Sequence, residues 1–318
     1  MTIQADDDIE LLDLMLTDQA RCGERYGATA RWDGYSRIFA DFLRDVGLRD
    51  FRKHSHPKGS PGYVLHSFGA VDGLSAGTDI WKVYGTAANA FVPAGARTID
   101  QLAVSRVGNP NGFEVQGRFY TLSWLNFFHR YAYVSKYFDF NGDNVIVELG
   151  SGSGKQAELL RKAHPHSTIV LFDLPTQLYV ANQYLTKVFE DDHGVVPYQV
   201  AREFTSLDDV VRGKINVLGN WQFDMLQGRD IDLFWNAASL QEMAPDTAKH
   251  YLRVTSSVRH MFLMHMLRSE PDMGVPGRRK VIGSKAMAGF DEIDRTHARH
   301  CNNRDWPYYD SFWKRSDL

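Results

Sequence analysis

Residues Val145 to Leu160, VIVELGSGSGKQAELL, limit what this chain can fold into more than any other stretch. An unbroken apolar run ends in an acid, glycines follow at positions 150, 152 and 154, and helical spacing then takes over. An apolar run without polar alternation is the mark of a strand covered on both faces. Strand, tight glycine turn and helix together form the opening unit of a parallel α/β sheet. The chain then repeats the unit. "STIVLFDLP", "KINVLGN", "IDLFWNAA" and "HMFLMHML" read as further buried strands, and "TQLYVANQYLTKVFEDD" and "DTAKHYLRVTSSV" as intervening helices. The expected fold is α/β: a Rossmann-like, doubly wound, mostly parallel sheet over residues 141–318.

Residues 1–140 read differently, as a mainly helical cap that would serve substrate binding and oligomerisation. "DIELLDLMLTDQARCGERY" and "SRIFADFLRDVGLRDF" space their apolar residues as amphipathic helices do. Between Lys53 and Arg118 glycines and prolines break the pattern, leaving short strand-like pieces, "YVLHSF" and "IWKVYG". "FYTLSWLNFFHRYAYVSKYFDF" predicts an aromatic helix packed between layers, a role compatible with a substrate wall or a dimer contact. At the far end, "RDWPYYDSFWKRSDL" contains Pro307, which argues against a continuous helix. It reads as a surface tail packed by Trp306 and Trp313, closure over an acceptor being the alternative.

Composition narrows the function class. The 318 residues are 43% hydrophobic and 24% charged with a formal net charge of -3, so no basic excess points to nucleic acid. The acidic N-terminus lacks the positive region of a signal peptide, and no apolar run is long enough to span a bilayer. Cys22 and Cys301 have no CxxC or Cys/His spacing, and no carboxylate/His grouping calls for a metal. The expectation is a cytoplasmic enzyme with a small-molecule substrate and no nucleic-acid or membrane partner, with room for a homodimer.

Three ligand types use such glycine turns. A phosphate loop needs G-x-x-x-x-G-K-[ST], but Gln156 follows Lys155 and Leu149 stands at the earlier glycine position. Gly152 to Ala157 does fit the dinucleotide pattern G-x-G-x-x-A, so an NAD(P)-dependent oxidoreductase stays open. Glu148 separates the readings. A carboxylate beside the turn repels a pyrophosphate but tolerates S-adenosyl-L-methionine, which carries a sulfonium and an ammonium. Asp173 closes the second strand nineteen positions after Gly154, a spacing that suits a carboxylate accepting from ribose hydroxyls. S-adenosyl-L-methionine is therefore the expected cofactor, held by Glu148, Gly150, Ser151, Gly152, Gly154, Asp173 and Leu174.

E-x-G-x-G-x-G with an acid at the end of the second strand resembles the class I methyltransferase fold. More narrowly, "VGNPNGFEVQGRFYTLSWL", "FDLPTQLYVANQYL" and "DLFWNAASLQEM" resemble the sugar O-methyltransferase family of bacterial natural-product pathways, over roughly residues 105 to 265. The resemblance implies O-methylation of a sugar or glycosylated metabolite, N- and C-methylation staying open. It also implies that the fourth strand runs toward the cofactor sulfur, so that Asn236, Ser239, Gln241 and Glu242 face the cofactor and acceptor. Related plant-type enzymes place a His-Asp pair where this chain has Gln241-Glu242. Glu242 is then the first candidate base, with His265 and His129 as further candidates, each also readable as an ordinary core residue. Asn220 and Trp221 follow the third strand, where such folds contact adenine. The missing His base also keeps open a cofactor-binding paralogue without activity.

Overall fold

The structure is a computed structural model and describes residues 4–53, 77–266, 287–298 and 308–318. Helix α1 (Ile9–Ala20) begins where the Asp8 side chain accepts the Leu11 N–H, and it buries Leu11, Leu12 and Met15. Helix α2 (Ala30–Val46) begins at Thr29, whose hydroxyl accepts the Trp32 N–H. Such caps satisfy donors that a helix start leaves open. "YVLHSF" lies outside the described residues, but "IWKVYG" is not a strand: it lies in helix α3 (Ile80–Ala88). Its aromatic and β-branched residues suit either state, and the cap from Asp79 to the Lys82 N–H decides locally for the helix. A short hairpin, β1 (Phe113–Val115) and β2 (Arg118–Tyr120), precedes the aromatic helix α4 (Leu122–Val134).

The sheet begins with β3 (Val145–Leu149), buried at every position. It is followed by α5 (Lys155–Ala163), β4 (Thr168–Asp173), α6 (Pro175–Val188), the two-residue β5 (Val195–Val196) and α7 (Tyr198–Ala201). Then come β6 (Ile215–Gly219), β7 (Leu233–Ala237), α8 (Pro245–Val254), β8 (His260–Met266), β9 (Phe290–His297) and β10 (Tyr308–Arg315). The spatial order is β5-β6-β4-β3-β7-β8-β10-β9. Strands β3 to β8 pair in parallel, whereas β10 runs antiparallel to both β8 and β9. A dinucleotide-binding sheet continues in parallel to its last strand. Here the last strand turns back and inserts between β8 and β9.

That insertion corrects the reading of the C-terminal stretch as a surface tail. Trp313 is only 4% exposed because it sits on an interior strand. Trp306 lies outside the described residues. The core has two clusters, one on each face of the sheet. One joins α1, α2, α4, α5 and α6 to Ile146, Ile169 and Ile215, so apolar packing runs unbroken across residue 140. The other joins Val147, Val170 and Phe234 to Phe223, Tyr251 and Val254. With both faces covered, the carboxyl ends of the parallel strands are where a ligand can enter.

Candidate functional site

A cleft of about 370 Å³ opens at those carboxyl ends, between the glycine turn and the first turns of α2. Its floor is set by β3, where Glu148 is 4% exposed and its Oε2 has no hydrogen-bond partner. Burial pushes the Glu148 acid up to about 8; the positive charge of Arg130 opposes the shift, and the nearby Asp173 adds to it. The chain leaves β3 through Gly150, at φ +81°, where a Cβ would run into the Ser239 side chain. Helix α5 starts from Gly154, at φ +78°, where a Cβ would come within 2.7 Å of Leu185. Both positions need glycine. Asp173 fastens the turn to β4: the Gly152 N–H donates to Oδ2 at 2.7 Å and the Leu174 N–H to Oδ1 at 2.7 Å. Burial pushes Asp173 up to about 7 against those two bonds.

Further along the wall, the Asn220 amide donates to the Tyr26 carbonyl at 2.9 Å and the Tyr251 hydroxyl at 3.1 Å, and its Oδ1 is buried without a partner. Trp221 does not line the cleft. Its indole covers Gly219 and meets Tyr198 edge-on at 6.0 Å. Asn236 acts as a clamp: its amide donates to the Leu149 carbonyl at 2.8 Å and to Ser239 Oγ, tying the end of β7 to the glycine turn. Next in the chain, Ala238 lines the cleft at φ +67°, a conformation rare for a residue with a side chain.

Beyond Ala238 the chain makes the turn Leu240–Glu242. Glu242 lines the cleft, and its Oε2 accepts the Trp32 indole N–H at 2.9 Å, from 210 positions earlier in the chain. Gln241 braces the strands instead. It accepts the Met266 N–H at 2.8 Å and donates to the Tyr308 hydroxyl at 3.2 Å. The structure does not bring the two candidate histidines to the wall. His265 is 2% exposed on β8, where burial drives its pKa down to about 4. His129 is half-buried on α4, off the face that Phe127 and Arg130 present to the cleft, and burial lowers its pKa too.

Several wall residues were not anticipated: Trp32, Tyr35, Phe127, Arg130, Tyr251 and Tyr308. The signal for Arg130 was present, a cation three positions after Phe127 in a helix rich in aromatic residues. The others are assembled by tertiary structure alone. Among the described residues no group of three or more His, Cys, Asp or Glu could hold a metal ion, and no helix is long and apolar enough to cross a membrane.

The orphaned atoms test what the cleft can hold. Glu148 Oε2, Ser151 Oγ and Asn220 Oδ1 are buried polar atoms without partners, on residues that line one cleft. Two acids at the turn with one arginine suit a ligand carrying ammonium, hydroxyl and amine donors better than a pyrophosphate. The residues fit S-adenosyl-L-methionine. Residues 130–199 match the O-methyltransferase domain family. That segment holds β3, the glycine turn, β4 and α6, and S-adenosyl-L-methionine is the cofactor of domains of that family.

No curated protein matches the chain. Among solved structures, the mitomycin 7-O-methyltransferase is 14% identical over 61% of this chain and 54% of that one, with a TM-score of 0.41. The chain thus spans about half the length of that protein. The magnesium protoporphyrin IX methyltransferase of Synechocystis PCC 6803, with bound cofactor, is 14% identical over 61% of this chain and 80% of that one (TM-score 0.42). The pyocyanin biosynthetic protein PhzM is 14% identical over 61% of this chain and 58% of that one (TM-score 0.41).

Proposed function

We propose that the chain is a cytoplasmic S-adenosyl-L-methionine-dependent O-methyltransferase acting on a hydroxyl of a sugar or glycosylated metabolite in secondary metabolism. One observation carries the reading: the glycine turn with Glu148 and Asp173, and the carboxylate of Glu242, line a single cleft. Trp32, Tyr35, Phe127 and Tyr308 add apolar ring faces beside that carboxylate, a surface suited to a ring that is apolar on its faces and polar at its edges. The cofactor, when bound, supplies a methyl group on a cationic sulfur. Glu148 would hold its ammonium, Asp173 would accept from its ribose hydroxyls, and Asn220 Oδ1 would accept from its adenine amine.

A neutral alcohol is a weak nucleophile. Glu242 is the group placed to take the acceptor proton as the oxygen–carbon bond forms and the methyl's carbon–sulfur bond breaks, an aid typically of ~10²–10⁴-fold. Trp32 holds that carboxylate by its indole N–H and keeps its Oε2 in one place. Alignment by the walls contributes the rest, about 7–11 kcal/mol at best. To share this role His265 would need to leave a buried position and His129 to turn toward the cleft from its half-buried one. The reversed last strand and the acid beside the turn disfavour an NAD(P) oxidoreductase.

Calorimetry tests the reading. S-adenosylhomocysteine should bind one to one, while NAD and NADP should not bind. Tight NAD(P) binding without S-adenosylhomocysteine binding sinks it. Turnover on a panel of glycosylated acceptors then separates an enzyme from an inactive paralogue.

A further inference from the structure

The cofactor reading leaves one end of the ligand without a partner. S-adenosyl-L-methionine ends in an amino acid, so the pocket that takes its ammonium must also take a carboxylate. Glu148, the glycine turn and Asp173 offer acids and backbone groups but no side-chain cation. Among the described residues that line the cleft, one is basic: Arg130, on α4.

We propose that Arg130 is the carboxylate anchor for the amino-acid end of the cofactor, supplied by the helix before the sheet rather than by the sheet itself. The assignment rests on the methyltransferase reading and adds a binding residue to it. Three observations converge on it. Arg130 lines the cleft together with Glu148 and Gly150 to Gly152, the residues that flank the amino-acid end. Its helix is held rigidly, by contacts with α5 and β10 and by the burial of Trp124, Leu125, Phe128 and Tyr131. Its guanidinium stands 4.9 Å from the Phe127 ring centroid, a contact that orients the plane of the head group.

Charge order supports the placement. The positive charge of Arg130 acts on two buried acids, Glu148 on β3 and Asp310 on β10. A zwitterionic amino acid entering there alternates the signs: guanidinium against ligand carboxylate, ligand ammonium against Glu148. Arginine suits this task because its fork of donors matches a carboxylate and cannot lose its proton.

The test needs no acceptor. Calorimetry would compare S-adenosylhomocysteine, which has the amino-acid end, with methylthioadenosine, which lacks it, on the wild-type chain and on Arg130→Gln. The expected result is a loss of about 10-fold or more for S-adenosylhomocysteine, the weight of a hydrogen bond to a charged group, with methylthioadenosine affinity unchanged. Equal loss for both ligands, or no loss for either, overturns the assignment and leaves the methyltransferase reading standing. Should Arg130→Gln fail to fold, the unaltered protein answers with decarboxylated S-adenosylmethionine. Binding about 10-fold or more below the parent cofactor supports the anchor, and equal binding overturns it. A wild-type chain that binds none of these ligands overturns both readings at once.

Discussion

Glu148 shows how one residue links burial to cofactor choice. It sits almost fully covered with one oxygen unpartnered, and its acid is pushed from 4.5 up to about 8. An acid whose native pKa is raised keeps its proton where the unfolded chain has lost it. The ligand-free protein should therefore lose stability as pH rises from about 4.5 toward 8, the sign opposite to a salt-bridged carboxylate. Cofactor affinity should run the other way. A ligand ammonium favours ionised Glu148, so S-adenosylhomocysteine affinity should climb up to about pH 8 with release of a proton, and Glu148→Gln should flatten the climb. Calorimetry in buffers of different ionisation heat reads both; a rising profile kept by the variant would sink the role of Glu148. Asp173→Ala removes a group that also fastens the Gly152 N–H, so cofactor binding should weaken by up to about 1.5–3 kcal/mol per lost hydrogen bond. Unchanged affinity would remove Asp173 from the ribose. Glu242→Gln should preserve cofactor affinity while turnover falls by ~10²-fold or more, once an acceptor is known. Normal turnover would return the question to alignment alone.

At the scale of elements, legibility in the sequence followed burial. Strands β3, β4, β6, β7 and β8 could be read because each is a continuous apolar run covered on both faces. Strand β9 could not, since FDEIDRTH is an exposed edge strand rich in charge and carries no apolar period. Strand β10 was hidden by Pro307 just before it and by aromatics that suit a tail equally well. Glu148 and Asp173 were legible because their spacing is set by local geometry, whereas Trp32 and Tyr308 reach the cleft only through folding. One buried network holds the N-terminal region to the sheet, and nothing in the sequence marked it. Arg52, 0% exposed, donates to the Ser105 carbonyl at 2.8 Å and the Tyr184 hydroxyl at 3.0 Å. Glu158, also 0% exposed, accepts from Tyr184 at 2.6 Å, the Ser105 N–H at 2.7 Å and Lys162 at 2.6 Å. Glu158→Ala should cost about 1–3 kcal/mol, the range for leaving a buried hydrogen-bonding group without its partner. A urea midpoint within error of wild type would show that the network contributes nothing net.

On the scale of the whole molecule, the cleft draws on residues from Gly27 to Tyr308. The N-terminal helices and the last strand both build walls around a site whose cofactor turn lies near the middle of the chain. Strand β9 pairs only with β10 among the described residues, and β10 separates it from β8. The chain must therefore make β9 before the strand that joins it to the sheet exists. During synthesis, β3 and the glycine turn leave the ribosome well before Tyr308 does. The nascent chain then carries half a site, open and without its far wall, until β10 has been made. A ligand that needs the closed cleft cannot template folding from the start; it can only hold what the last strand has already completed.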